Sequence, residues 1–143
     1  MMANLEILIG AVAAFALGFV WYTALFGKAW QAETGITDEQ AQSNMLMTHG
    51  IAFLSMCVMS SVINYVVNMH DIAEQTFTHG AFHGAILAGM FAVPAAAINY
   101  VYQKKSLKLF AIDAGYLIAL CAVSGGVMAW LKFGGEVLEA SAG

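Results

Sequence analysis

The chain has 143 residues, of which 61% are hydrophobic and only 10% are charged. Soluble domains have about 25% charged residues, and they need a polar surface that this composition cannot supply. Lipid is the solvent that tolerates such a chain. The net charge of −4 and the absence of arginine exclude a basic stripe for nucleic acid.

Four apolar stretches are long enough to cross a bilayer, which takes roughly 20 residues in helical form. The connections between the later stretches are short, which favours antiparallel neighbours. We therefore predict an all-α, up-down transmembrane bundle of four helices in a single domain. The predicted spans are about 5–26, 45–67, 77–102 and 109–131. Pro94 lies inside the third span and predicts a kink there.

The first connection, GKAWQAETGITDEQAQSN, is the long polar stretch of the chain. Thr37 is followed three residues later by Gln40, which is the pattern of a capping box at a helix start. This pattern predicts a short surface helix that leads into the second span.

The placement of the lysines predicts the orientation of the bundle. Lys28 lies in the first connection and Lys104, Lys105 and Lys108 lie in the third, whereas Lys132 follows the fourth span. The positive-inside rule places connections one and three in the cytoplasm. Both termini and the histidine-rich second connection are then expected outside.

Small residues at four-residue spacing predict close packing of helices, on which association in lipid depends. The candidate packing residues are Gly10, Ala14, Gly18, Gly80, Gly84, Gly115 and Gly126. Their spacing leaves open whether the partner is another helix of the same chain or a second chain. Four short spans bury little area alone, so we expect a homo-oligomer or a partner in a larger membrane complex.

Two motifs resemble those of a known family. WYTALFGKAW at 21–30, followed by a Gly-Ile-Thr, and SLKLFAIDAGYLIAL at 106–120 carry the likeness. They are similar to the WYSPLLFGKxW and SLxLFxIDxGY motifs of small bacterial and fungal membrane proteins catalogued as a domain of unknown function. This chain has Thr23-Ala24 where the family usually has a proline, and Leu117 where a histidine often follows. The resemblance implies four spans without an established activity, and we expect a bacterial inner (plasma) membrane protein.

Polar side chains near the predicted cytoplasmic ends form the first candidate site, because polar groups within a span are costly and mark functional positions. The candidate ligand- or ion-binding residues are Tyr22, His49, Asn99, Asp113 and Tyr116. Asp113 is the strongest candidate. A structural role stays open beside a binding role, since an acid stabilises a helix N-terminus. Lys28, Lys105 or Lys108 could also pair with it.

The second connection carries a candidate metal site. His79 and His83 are four residues apart, so they share a helix face at a spacing that suits two imidazoles on one metal. The remaining ligands could come from Asp71, Glu74 and His70. Two other interpretations remain open. One is a pH-sensitive polar cap. The other is a purely structural polar edge, in which the His83 ring bonds to Asn64 or to a carbonyl across the bundle. A haem between His49 and His83 is disfavoured, because these histidines lie towards opposite membrane faces.

Three classes of function compete at this point. The first is a non-enzymatic bundle that binds or passes a small solute, ion or lipid. The second is an accessory subunit of a larger membrane complex, and the third is a small metal- or redox-dependent enzyme. No phosphate loop, paired catalytic carboxylates or nucleophile elbow occurs in the sequence, so no catalytic residue is assigned. We expect no cofactor, unless His79 and His83 bind a transition metal.

Overall fold

Helices make up almost all of the computed structural model, which describes the backbone of residues 2–142 and the side chains of residues 5–132. No strand occurs within that backbone. Four helical stretches are long and apolar enough to cross a membrane. They are Leu5–Leu25, Met45–Val67, Phe77–Tyr102 and Leu107–Lys132. The predicted all-α bundle with four spans is confirmed.

The helices are numbered in chain order. They are α1 (Met2–Phe19), α2 (Gly27–Thr34), α3 (Asp38–Gln42), α4 (Met45–Val67), α5 (Phe77–Leu87), α6 (Val93–Tyr102) and α7 (Leu107–Ala142). A π-helical segment, Val20–Leu25, extends α1, and a second one, Ala88–Ala92, joins α5 to α6. The second segment ends just before Pro94. Since proline lacks an N–H and clashes with the preceding turn, a wider turn ahead of it relieves the conflict.

The first connection contains two short helices where the sequence predicted one. The predicted helix is α3, and its capping box is present: Gln40 N donates to Thr37 Oγ1 at 3.2 Å and Thr37 N donates to Gln40 Oε1 at 3.0 Å. The additional helix, α2, ends at Gly35, whose φ of +69° closes the last turn.

Helix α7 is the most buried of the four spans, and it packs against α1, α4 and α5. Its middle carries small side chains, which let three neighbours approach it at once. The buried apolar core residues on α7 include Leu120, Cys121, Met128 and Ala129. One polar contact lies among them, between the hydroxyls of Ser60 and Ser124 at 2.8 Å.

The tightest packing joins α5 to α7. Gly80 and Gly84 lie against backbone atoms of Gly125 and Cys121, and a Cβ on either glycine would overlap those atoms. A backbone cannot rotate away as a side chain can, so these two positions require glycine. The other predicted packing residues also meet partners in the same chain: Gly10 meets Ser124 and Met128, Gly18 meets Tyr116, Gly115 meets Trp21, Gly126 meets Phe77, and Ala14 is fully buried. The candidate packing residues therefore contact other helices of the same chain.

At the end of the bundle near the second connection, four polar side chains meet. Lys132 Nζ lies 3.4 Å from Glu6 Oε2 and donates to Asn64 Oδ1 at 2.7 Å and to Asn68. The Lys132 side chain is only 9% exposed. A buried ammonium is tolerated only with such partners, so this contact holds α1, α4 and α7 together at this end.

At the other end, the first and third connections are tied together. Lys108 Nζ lies 3.2 Å from Glu33 Oε1, and the Ser106 hydroxyl donates to the same carboxylate. The Ser106 hydrogen bond, followed by that of Lys108, holds the pKa of Glu33 below its usual range. The connections that carry most of the lysines therefore lie side by side.

Replacing Gly84 with alanine is expected to lower the free energy of unfolding in detergent by about 1–3 kcal/mol, because the new methyl group overlaps the α7 backbone. The matched control is Gly50→Ala on α4, where a Cβ meets open space. That control is expected to be neutral or slightly stabilising, since alanine favours a helix. Equal effects from the two substitutions would contradict the packing described.

The Glu33 contact is expected to depend on pH. Because the pKa of Glu33 is lowered in the folded chain, its contribution is present above the unfolded pKa and is lost as the pH falls through the folded pKa. Ser106→Ala should move the Glu33 carboxyl titration, followed by carbon NMR in micelles, to higher pH. Ser43→Ala, which alters a serine without contact to Glu33, should leave it unchanged. An unmoved titration in Ser106→Ala would refute the assignment.

Candidate functional site

Asp113, in the second turn of α7, is the centre of a polar cluster. Its Oδ1 accepts a hydrogen bond from the Tyr22 hydroxyl at 2.8 Å, and its Oδ2 accepts one from the Tyr100 hydroxyl. Two of the three predicted lysine partners are engaged elsewhere: Lys108 pairs with Glu33, and Lys105 Nζ lies 4.9 Å from the centroid of the Tyr100 ring. Two phenols from two other spans thus satisfy the carboxylate.

The π-helical segment at the end of α1 explains how neighbouring aromatic residues both reach α7. Trp21 Nε1 donates to the Ile112 carbonyl at 3.1 Å, while the next residue, Tyr22, bonds to Asp113. Consecutive residues of an α-helix diverge by about 100°, and the wider π turn brings them closer to one side. Gly115 makes room for the Trp21 ring, which would meet a Cβ there at 3.1 Å.

Tyr116 lies one turn further along α7, where its ring packs beside those of Trp21 and Tyr22. Its ring centroid is 4.9 Å from that of Tyr22 and 6.1 Å from that of Trp21. It is 9% exposed, and its hydroxyl lies against Gly18. The rings of Tyr22 and Tyr116 therefore pack against each other, with the Tyr116 hydroxyl against Gly18.

These two tyrosines border a cleft of about 360 Å³ between α1 and α4. Its walls are mainly apolar. The aromatic and polar side chains that line it are Phe15, Phe19, Tyr22, Thr23, Thr48, His49 and Tyr116. Asp113 bonds to Tyr22 but does not itself line the cleft.

His49 supplies the cleft with a hydrogen-bonding group in a defined state. Its ring stacks on Phe19 with centroids 5.6 Å apart and planes at 12°. Its Nδ1 lies 2.8 Å from the Met45 carbonyl oxygen. A carbonyl can only accept, so Nδ1 carries the proton in the neutral ring and Nε2 is left as an acceptor.

Asn99 does not join the cluster. It is exposed, and its Nδ2 donates to the Ala95 carbonyl on its own helix at 3.3 Å. Its neighbour Tyr100, which the sequence analysis did not select, reaches Asp113 instead. The only hint in the sequence was that Tyr100 directly follows the selected Asn99. Neighbouring residues of a helix point about 100° apart, so only one of the two can face α7.

At the opposite end of the bundle, the structure brings His79 and His83 together with His70. His79 Nε2 and His83 Nε2 are 2.9 Å apart, and one ring nitrogen of each of the three histidines lies within 4.8 Å of the other two. Asp71 and Glu74 are exposed and lie outside this group. The suggested bond between His83 and Asn64 is not made: His83 Nε2 lies against His79 Nε2, and Asn64 Oδ1 accepts from Lys132.

Comparison with known proteins gives one family. A family model described as a protein of unknown function (DUF1761) matches residues 5–129. None of the curated proteins and none of the solved structures matches the chain. The uncharacterised family expected from the sequence is confirmed.

Replacing Asp113 with alanine is expected to lower the free energy of unfolding by about 1–3 kcal/mol, because two phenols lose their acceptor. Asp113→Asn should recover part of this loss, since its carbonyl oxygen still accepts. Asp71→Ala, at an exposed aspartate, serves as the control, and chemical unfolding in detergent is the measurement. If Asp113→Ala behaves like the control, the carboxylate does not hold the three spans together.

Proposed function

The chain belongs to DUF1761, a family described as of unknown function, and we propose that it binds a small amphipathic solute or lipid. The proposed site is the cleft beside Tyr22 and Tyr116, inside a four-span integral membrane bundle. The observation that carries the proposal is the oriented His49 imidazole in a mainly apolar cleft.

The size and walls of the cleft support a ligand with an apolar body. Its volume of about 360 Å³ lies in the range of small-molecule sites. Phe15 and Phe19 on α1 offer aromatic surface, and they face the imidazole of His49. Such walls contact rings or acyl chains well and bind free ions poorly.

The polar groups support a neutral ligand with a hydrogen-bond donor. His49 Nε2 is the acceptor of the neutral ring whose Nδ1 donates to the Met45 carbonyl, and Thr48 lines the same cleft. The nearby negative charge, on Asp113, faces the two phenols and not the cleft. A hydroxyl or amide headgroup therefore fits better than a metal cation or an anion.

Asp113 acts in this proposal as a positioning residue. Its carboxylate holds the Tyr22 ring in the wall of the cleft through the 2.8 Å hydrogen bond. We propose binding or passage of the solute rather than catalysis. The groups around the cleft recognise the shape of an apolar body and one hydrogen-bond donor of the ligand.

Assembly with a second copy is the second candidate role. A groove of about 570 Å³ runs along α4 and α5–α6 and is apolar throughout, with Val58, Val62, Leu87 and Phe91 in its walls. A helix of another chain or a lipid tail would fill it. Mass measurement in mild detergent separates these outcomes, because a dimer or larger assembly of this chain alone supports the homo-oligomer. The proposed location is a bacterial inner membrane, as the family resemblance implies, and the lysine placement supports an orientation with both termini outside.

Replacing His49 with phenylalanine is expected to reduce bound small molecule by about tenfold, the equivalent of one hydrogen bond of roughly 1.4 kcal/mol. Phenylalanine keeps the stacking on Phe19 and removes the acceptor. The measurement is native mass spectrometry of the full chain purified from membranes, which weighs and counts co-purified molecules. Tyr65→Phe, at an exposed position of α4 outside the cleft, is the control. A wild-type chain without bound molecules, or equal occupancy in His49→Phe, would contradict the proposal.

A further inference from the structure

Three imidazole rings meet where α4 ends and α5 begins. His70 follows α4, and His79 and His83 lie in the first two turns of α5. Their ring centroids are 4.4–4.7 Å apart in every pair. We propose that His70, His79 and His83 form a Zn²⁺ site with three imidazole ligands and an open fourth position.

The donor set determines the class of metal. Imidazole nitrogen suits Zn²⁺ and other late transition metals, whereas Mg²⁺ and Ca²⁺ prefer oxygen. Three histidines without a fourth protein ligand are typical of zinc sites that keep a position for water or substrate. Neither Cys57 nor Cys121 belongs to the cluster, so a closed thiolate site is not formed by the described residues.

The distances need little adjustment to hold the metal. His79 Nε2 and His83 Nε2 are 2.9 Å apart. Two nitrogens bound to tetrahedral zinc at about 2.0–2.1 Å are roughly 3.3 Å apart. Small rotations of the two side chains supply the difference. Zinc would use the lone pairs of both nitrogens, whereas without it one ring must donate an N–H to the other.

His70 is held in the form that binds metal. Its Nδ1 lies 3.1 Å from the Val66 carbonyl oxygen, so Nδ1 donates and Nε2 keeps its lone pair. Ligand histidines in metal sites commonly make this second hydrogen bond to a carbonyl. Gln75, which is 4% exposed, donates from Nε2 to the His70 carbonyl oxygen at 2.8 Å. The turn that carries His70 is thereby fixed.

Two acidic residues of the same connection assist without binding. Asp71 and Glu74 are exposed and lie outside the cluster. Their charges lower the electrostatic potential around the site and favour the arrival of a cation. The site lies at the opposite end of the bundle from the His49 cleft. Zinc binding is therefore independent of the proposed solute binding.

The test is titration of the full chain in detergent, after removal of metal with a chelator, with ZnCl₂ in a calorimeter. We expect one zinc per chain in the wild type. His70→Ala, His79→Gln and His83→Gln should each bind zinc at least about tenfold more weakly. The matched control is the double variant Asp71→Asn/Glu74→Gln, which should bind with the same stoichiometry and less than about a threefold change in affinity.

A second measurement keeps the test independent of folding defects in any one variant. Excess ZnCl₂ should raise the thermal unfolding midpoint of the wild type, because zinc joins α4 to α5 in the folded chain only. The two glutamine variants keep a polar side chain and should lose this shift. Well under one zinc per chain in the wild type would overturn the site. So would unchanged affinity in every histidine variant, or an equal loss in the acidic control.

Discussion

The close approach of α5 to α7 is the contact on which the rest of the structure depends. In lipid, apolar surfaces gain nothing by leaving the solvent, so helices stay together through close packing. Gly80 and Gly84 let the two backbones touch, and no larger residue fits at either position. Since α1 and α4 also pack on α7, every other span is placed against this central helix.

The same packing determines where the polar groups lie. Asp113 near the start of α7 comes level with the ends of α1 and α6, where two tyrosines meet it. The start of α5, with His79, comes level with the end of α4. The chain therefore has two polar ends of different chemistry, a carboxylate bound by phenols and a group of imidazoles. Between them lies a middle of small and apolar side chains with one buried serine pair.

Hydropathy and length sufficed to predict the four spans, and the residues at 37 and 40 predicted α3, because these properties are local. The partners of Asp113 were not predictable, because they depend on how α1 and α6 are rotated against α7. The π-helical segment at Val20–Leu25 cannot be predicted from hydropathy, yet it turns Tyr22 towards Asp113. Of the three residues expected beside His79 and His83, His70 joins them, whereas Asp71 and Glu74 lie exposed outside the group; which of the three would do so depends on the shape of the turn after α4, which the sequence does not show.

A four-span bundle places the Asp113 end and the histidine end at opposite membrane faces. Labelling of single cysteines in membrane vesicles with an impermeant maleimide tests it directly. Cysteines at three exposed connection positions, Glu39, Gln103 and Ala73, are introduced into a chain without Cys57 and Cys121. Glu39→Cys and Gln103→Cys should react from one side of the membrane and Ala73→Cys from the other. Reaction of Ala73→Cys from the same side as Gln103→Cys would contradict the account.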